Sequence, residues 1–130
     1  MKLPKNILII EDNPLNLELA RDILEEAGYV VYTAASAEKG IQLAHSVMPD
    51  LILMDVSLPG MDGLSATRLL THDPETAKIP IVFLTAHAMH GDKEKAIAAG
   101  CKGYLTKPID TRTFAKSIDT FLENSLTEAA

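Results

Sequence analysis

A single cysteine, Cys101, stands among the 130 residues, so no internal disulfide can form, as suits a reducing cytosol. Between Gly100 and Lys102 it reads as a small packing residue rather than a redox group. Positive charge is also scarce. Twelve lysines and arginines face 18 acids, for a net charge of -6, and the basic residues are scattered. Binding nucleic acid through displaced counterions needs a basic patch, so direct binding of that kind is not expected. The acidity reads as solubility plus one local cluster. Long apolar runs are missing too. The stretch after MKLPKN, Ile7 to Ile10, is far too short for a signal segment or a membrane span, and the protein is expected in the cytoplasm. Internal repeats, heptads and low-complexity segments are absent. The length suits one domain with one core, expected over residues 1–124, with 125–130 as a short frayed tail.

What is present is alternation. Ile7 to Ile10 is a continuous apolar run that ends on Glu11 and Asp12. Asn13 followed by Pro14 is an N-cap with proline at the first helical position, and a helix is expected to about Ala27. Its core stripe is read as Leu19, Ala20, Ile23 and Ala27, with Gly28 as the stop. Val30 to Ala34 reads as a strand. Ser36 caps a helix from Ala37 to about Val47, with Ile41, Leu43 or Ala44, and Val47 inward and Pro49 as its barrier. Leu51 to Met54 is apolar throughout, as in a strand buried on both faces, and stops at Asp55; Pro59, Gly60 and Gly63 punctuate the loop beyond. Leu64 to Leu70 reads as a helix, Ile81 to Leu84 as a strand ending at Thr85, Lys93 to Ala99 as a helix stopped by Gly100, and Gly103 to Leu105 as a short strand. Asp110 is expected to cap a last helix carrying Phe114, Ile118, Phe121 and Leu122 on one face. Five alternations imply right-handed crossovers and an α/β fold, a doubly wound five-stranded parallel sheet with five helices, flavodoxin-like. The least polar strands belong in the middle and the mixed Val30 strand at an edge, which favours the order 2-1-3-4-5.

In that order four neighbouring strands deliver their ends to one place: Glu11 and Asp12, Asp55, Thr85, and Lys107. Taken alone, Asp55 is better explained as a turn former. Together, three carboxylates repel one another unless a cation is present, and oxygen donors with room for water suit Mg²⁺. A hydroxyl and an ammonium, expected opposite the acids, suit an incoming phosphoryl group that Asp55 attacks in line.

These residues, Glu11-Asp12, Asp55 in LILMDVSLPGMDG, Thr85-Ala86 and Lys107-Pro108 at their intervals, resemble the receiver domain of two-component response regulators over about Ile7 to Leu122. The resemblance implies a stand-alone regulator in which Asp55 is the phosphoacceptor and Asp12 a direct Mg²⁺ ligand. Glu11 assists through water, and the Ser57 carbonyl is a further ligand. It implies that Thr85 binds the phosphoryl group, that Lys107 pairs with it, and that the Lys107-Pro108 bond is cis. Tyr104 would be the aromatic switch that follows Thr85. The implied partners are a sensor histidine kinase or a histidine phosphotransfer protein and a downstream protein target, met on a surface near Met89 and Tyr104. Many receivers carry two aspartates in the first acidic pair; Glu11 departs from that pattern.

Leu15 and Leu17 lie off the main stripe at the start of the first helix, and with Met61 could form an apolar rim for a histidine-bearing helix. His87 and Ser57, each two residues past a site position, would border the path of the hydrolytic water by the same resemblance. His87 and His90 are too poorly supplied with further ligands to read as a metal pair, and His45 and His72 read as surface residues. Other functions compete. A haloacid-dehalogenase-type phosphatase wants an acid where Ser57 stands, and usually a cap domain. A flavodoxin-like cofactor binder wants a phosphate-cradling loop where Glu11 and Asp12 stand. An intermediate carrier in a phosphorelay and a receiver-like scaffold that is never phosphorylated remain as alternatives.

Overall fold

The computed structural model describes residues 4–85 and 92–129. Strands β1 (Asn6–Ile10), β2 (Val30–Ala34), β3 (Leu51–Asp55), β4 (Ile81–Thr85) and β5 (Gly103–Thr106) alternate with helices α1 (Pro14–Glu26), α2 (Ala37–Val47), α3 (Gly63–His72), α4 (Asp92–Ala99) and α5 (Phe114–Ala129). The strands form one parallel sheet in the order β2-β1-β3-β4-β5. The apolar strands β1, β3 and β4 are central because both of their faces must be covered. β2 alternates between covered and open positions, as an edge strand does.

Alternation along the strands divides the core in two. Leu8, Ile10, Ile52, Met54, Ile81 and Phe83 face α2 and α3, meeting Ala37, Ala44, Ala66 and Leu70. Ile7, Ile9, Leu51, Leu53, Val82 and Leu84 face α1 and α5, meeting Ala20, Leu24, Phe114, Ile118 and Leu122. Each such side chain is worth about 2 kcal/mol when fully buried. Cys101 is buried in the first of these cores, as a packing residue. Among the described residues no helix is long and apolar enough to cross a membrane.

Some local expectations change. The buried stripe of α1 is Ala20 and Leu24, with Leu17 and Ile23 packed beside them; Leu19 and Ala27 are exposed. Leu17, Ala20 and Leu24 follow helical spacing, and Leu19, two residues from Leu17, lies some 200° round the axis. Asp110 does not cap α5 directly. Its carboxylate accepts from Arg112 N at 3.0 Å, one turn before the helix opens at Phe114. The backbone of α5 stays helical to Ala129, through the stretch expected to be a tail; NSLTEA holds no glycine or proline to stop it.

Candidate functional site at the carboxyl edge of the sheet

The ladder of the sheet runs one residue past the ends of its strands and there holds the site. Glu11 N donates to Ala34 O at 3.0 Å, Val56 N to Leu84 O at 3.1 Å, and Lys107 N to Thr85 O at 2.8 Å. Alternation then sorts the side chains. Glu11, Asp55 and Lys107 continue the parity of Ile9, Leu53 and Leu105, on the side of α1 and α5. Thr85 continues the parity of Ile81 and Phe83, and Tyr104, paired in register with Phe83, packs on that same side. Thr85 and Tyr104 are both half-buried.

Glu11 and Asp55 are 1% and 3% exposed. Lys107 Nζ lies 2.7 Å from Glu11 Oε1 and 3.3 Å from Asp55 Oδ2. The ammonium thus stands against the acids, not across from them, because buried carboxylates draw in the nearest cation. Asp55 Oδ1 accepts from Ser57 N at 3.0 Å. Glu11 Oε2 accepts from Asn13 N at 3.3 Å. Burial, and then the hydrogen bond shared with Asp55, push the Glu11 carboxyl up to about 7. Burial works the same way on Asp55, but the hydrogen bond from Glu11, the Ser57 N–H and the Lys107 charge together hold its carboxyl below the usual range. For Lys107 burial is likewise outweighed, by the two carboxylates, and its ammonium is held above its ordinary value. The mutual repulsion of the acids is thus met in part by a proton on Glu11.

Carboxylate oxygens of Glu11, Asp12 and Asp55 lie within 4.8 Å of one another, the first and last buried and Asp12 open to solvent. Apart from its 2.7 Å ion pair with Lys107, Glu11 Oε1 has no partner among the described residues. A buried oxygen in that state, beside two more hard donors and an open side for water, fits a divalent cation.

The structure brings together Glu11, Asp12, Asp55 and Lys107, sets the exposed Ser57 two residues beyond Asp55, and places Thr85 and Tyr104 on neighbouring strands. The Lys107-Pro108 peptide is cis. Of the expected apolar rim, Leu15 is 77% exposed, while Leu17 and Met61 are partly buried against the two cores. Ala86, His87, Met89 and His90 lie outside the described residues. His72 is exposed, its Nδ1 2.7 Å from Arg68 O. His45 is a surface residue with engagements: its Nε2 is 3.2 Å from Asp73 Oδ2 and its Nδ1 3.2 Å from Glu75 Oε2. Two features of the site have no signature in the sequence pattern. Asn13 serves Glu11 as well as α1, which its N-cap pattern hid. Gly63, read only as loop punctuation, lies against the backbone of Asp55, a contact made by tertiary packing that no local pattern signals.

The model of the response regulator receiver domain matches residues 7–119, and the chain belongs to that family. It is 41% identical over 120 residues to the polar-differentiation response regulator DivK of Brucella anthropi, covering 92% of this chain and 98% of that protein. Among solved structures, the receiver domain of the sensor histidine kinase PA1611 of Pseudomonas aeruginosa, with a magnesium ion coordinated in its active-site cleft, has a TM-score of 0.85 at 34% identity, covering 93% of this chain and 99% of that one. The chemotaxis response regulator CheY4 of Vibrio cholerae has a TM-score of 0.87 at 26% identity, covering 92% and 99%. The molecule is a receiver domain of two-component signalling with an acidic pocket compatible with Mg²⁺ and aspartate phosphorylation. Receiver domains as a class accept phosphoryl groups from histidine-bearing proteins. That membership decides against the phosphatase and cofactor-binding alternatives.

Proposed function

We propose that Asp55 accepts a phosphoryl group from a sensor histidine kinase or a histidine phosphotransfer protein, and that the modified domain, residues 1–124, changes its binding to a downstream protein. The observation that carries this reading is a buried carboxylate held low by neighbours that leave it ionised, with an ammonium 3.3 Å from its Oδ2. A carboxylate oxygen of Asp55 bonds to phosphorus as the bond from phosphorus to the donor breaks, and the donor leaves with that electron pair. Lys107 offsets charge on the phosphoryl oxygens and Thr85 donates a hydrogen bond to one of them. Glu11, Asp12, Asp55 and the Ser57 carbonyl would hold Mg²⁺, which when bound draws charge from the phosphoryl group. The output is a population shift in Thr85 and Tyr104, which occupy the same side of β4 and β5. The chain is neither a turnover enzyme nor a direct binder of nucleic acid, and it works in the cytoplasm.

Intact-mass measurement with acetyl phosphate and Mg²⁺ tests this. Wild type is expected to gain one phosphoryl group and Asp55→Asn none; no adduct on wild type with any donor would leave the scaffold reading in its place. Docking of the donor is assigned to the start of α1 at Leu15. Leu15→Asp is expected to slow transfer from the cognate donor while labelling by acetyl phosphate is unchanged, and equal losses with both donors would refute the docking.

A further inference from the structure

Gly28, Gly60 and Gly100 have positive φ, which explains them. Gly63 does not, so its missing side chain answers to space alone. A Cβ there would stand 2.6 Å from the Asp55 carbonyl oxygen, 3.0 Å from Val56 Cα and 3.2 Å from Met54 Cγ. The two nearest are backbone atoms, which cannot turn aside as a side-chain tip can. Gly63 is also the first residue of α3. Asp62 caps that helix by accepting from Ser65 N at 2.7 Å. Gly63 N donates to Val56 O at 3.3 Å, and the buried Thr67 hydroxyl donates to Gly63 O at 2.8 Å. The helix is therefore seated on the last residue of β3 and the one after it.

We propose that Gly63 is a positioning residue. By having no side chain it lets the start of α3 lock the backbone of Asp55 and Val56, which keeps the Asp55 carboxylate between Lys107 and the Ser57 N–H. Its effect on phosphorylation rests on the reading of Asp55 as acceptor; its effect on cation binding does not.

Gly63→Ala in the full chain tests this, with the Mg²⁺ dissociation constant from calorimetry, labelling by acetyl phosphate, and Tm. All are measured where circular dichroism shows a folded protein. Gly40→Ala is the control, because a Cβ there meets only the side chain of Ile10. Folded Gly63→Ala is expected to bind Mg²⁺ about fivefold more weakly and to label about tenfold more slowly. Gly40→Ala is expected to lose Tm with both readouts unchanged. Wild-type affinity and rate in folded Gly63→Ala would overturn the proposal, as would equal losses in Gly40→Ala. If Gly63→Ala does not fold, Thr67→Val decides. It is expected to weaken Mg²⁺ binding about twofold, with Thr67→Ser restoring it, and an unchanged affinity in Thr67→Val overturns the proposal. Should wild type bind Mg²⁺ yet take no phosphoryl group, the acceptor reading fails while the affinities still decide the role of Gly63.

Discussion

Two ends of the sheet carry the same inventory, two carboxylates around one nitrogen base, in opposite surroundings. At the carboxyl edge Lys107 meets Glu11 and Asp55 in near-complete burial. Toward the amino edge, His45 in the last turn of α2 meets Asp73 and Glu75, with side chains 34%, 34% and 75% exposed. Water screens the second group, and exposed pairs of that kind contribute at most about 1 kcal/mol. In the first group the two carboxylates are almost wholly buried, so their charges are settled mainly by one another, by a proton or by a cation. Two carboxylates around one nitrogen base make an exposed contact at one end and a buried cluster at the other.

The comparison breaks most sharply at Lys107. Lys107→Met leaves two buried acids without their cation, and urea unfolding at pH 7 without Mg²⁺ is expected to show a loss on the order of 3–5 kcal/mol, partly restored by added Mg²⁺. A loss no larger than that at His45 would erase the distinction between the two ends.

A smaller effect is expected from pH. Below pH 4.5 Glu11 is protonated in folded and unfolded chains alike; above that the unfolded chain releases the proton while the folded one keeps it to about pH 7. Stability without Mg²⁺ therefore falls between pH 4.5 and 7, by on the order of 3 kcal/mol. Asp55, held low, and Lys107, held high, titrate outside that window. Saturating Mg²⁺ or Glu11→Gln should flatten the slope, and a slope that persists in Glu11→Gln would assign it elsewhere. The smallest effect belongs to the other end: His45→Gln should change stability by less than about 1 kcal/mol and leave acetyl phosphate labelling unaltered.

The fold could be read from uninterrupted apolar runs, because a parallel strand covered on both sides must be apolar at every position, and β2 betrayed itself as an edge by alternating. The site followed from what stands just past those runs. The α1 stripe differs from the expected one because leucines at 15, 17 and 19 admit more than one helical face, and only the packed sheet selects Leu17 with Ala20 and Leu24. The position of Lys107 against the acids, and of Gly63 against Asp55, depends on distances between elements far apart in sequence. Local patterns carry no such distances.

The alternation that splits the core also separates two tasks. Glu11, Asp55 and Lys107 keep to the parity facing α1 and α5, while Thr85 and Tyr104 keep to the other, on strands that lie side by side. Under the proposed function, Thr85 is the one group that belongs to both: its hydroxyl meets the phosphoryl group at the edge of the sheet, and its side of β4 carries the message to Tyr104. Mutational drift can then remodel the surface around Tyr104, and so recruit new listeners, with Glu11, Asp55, Thr85 and Lys107 left untouched.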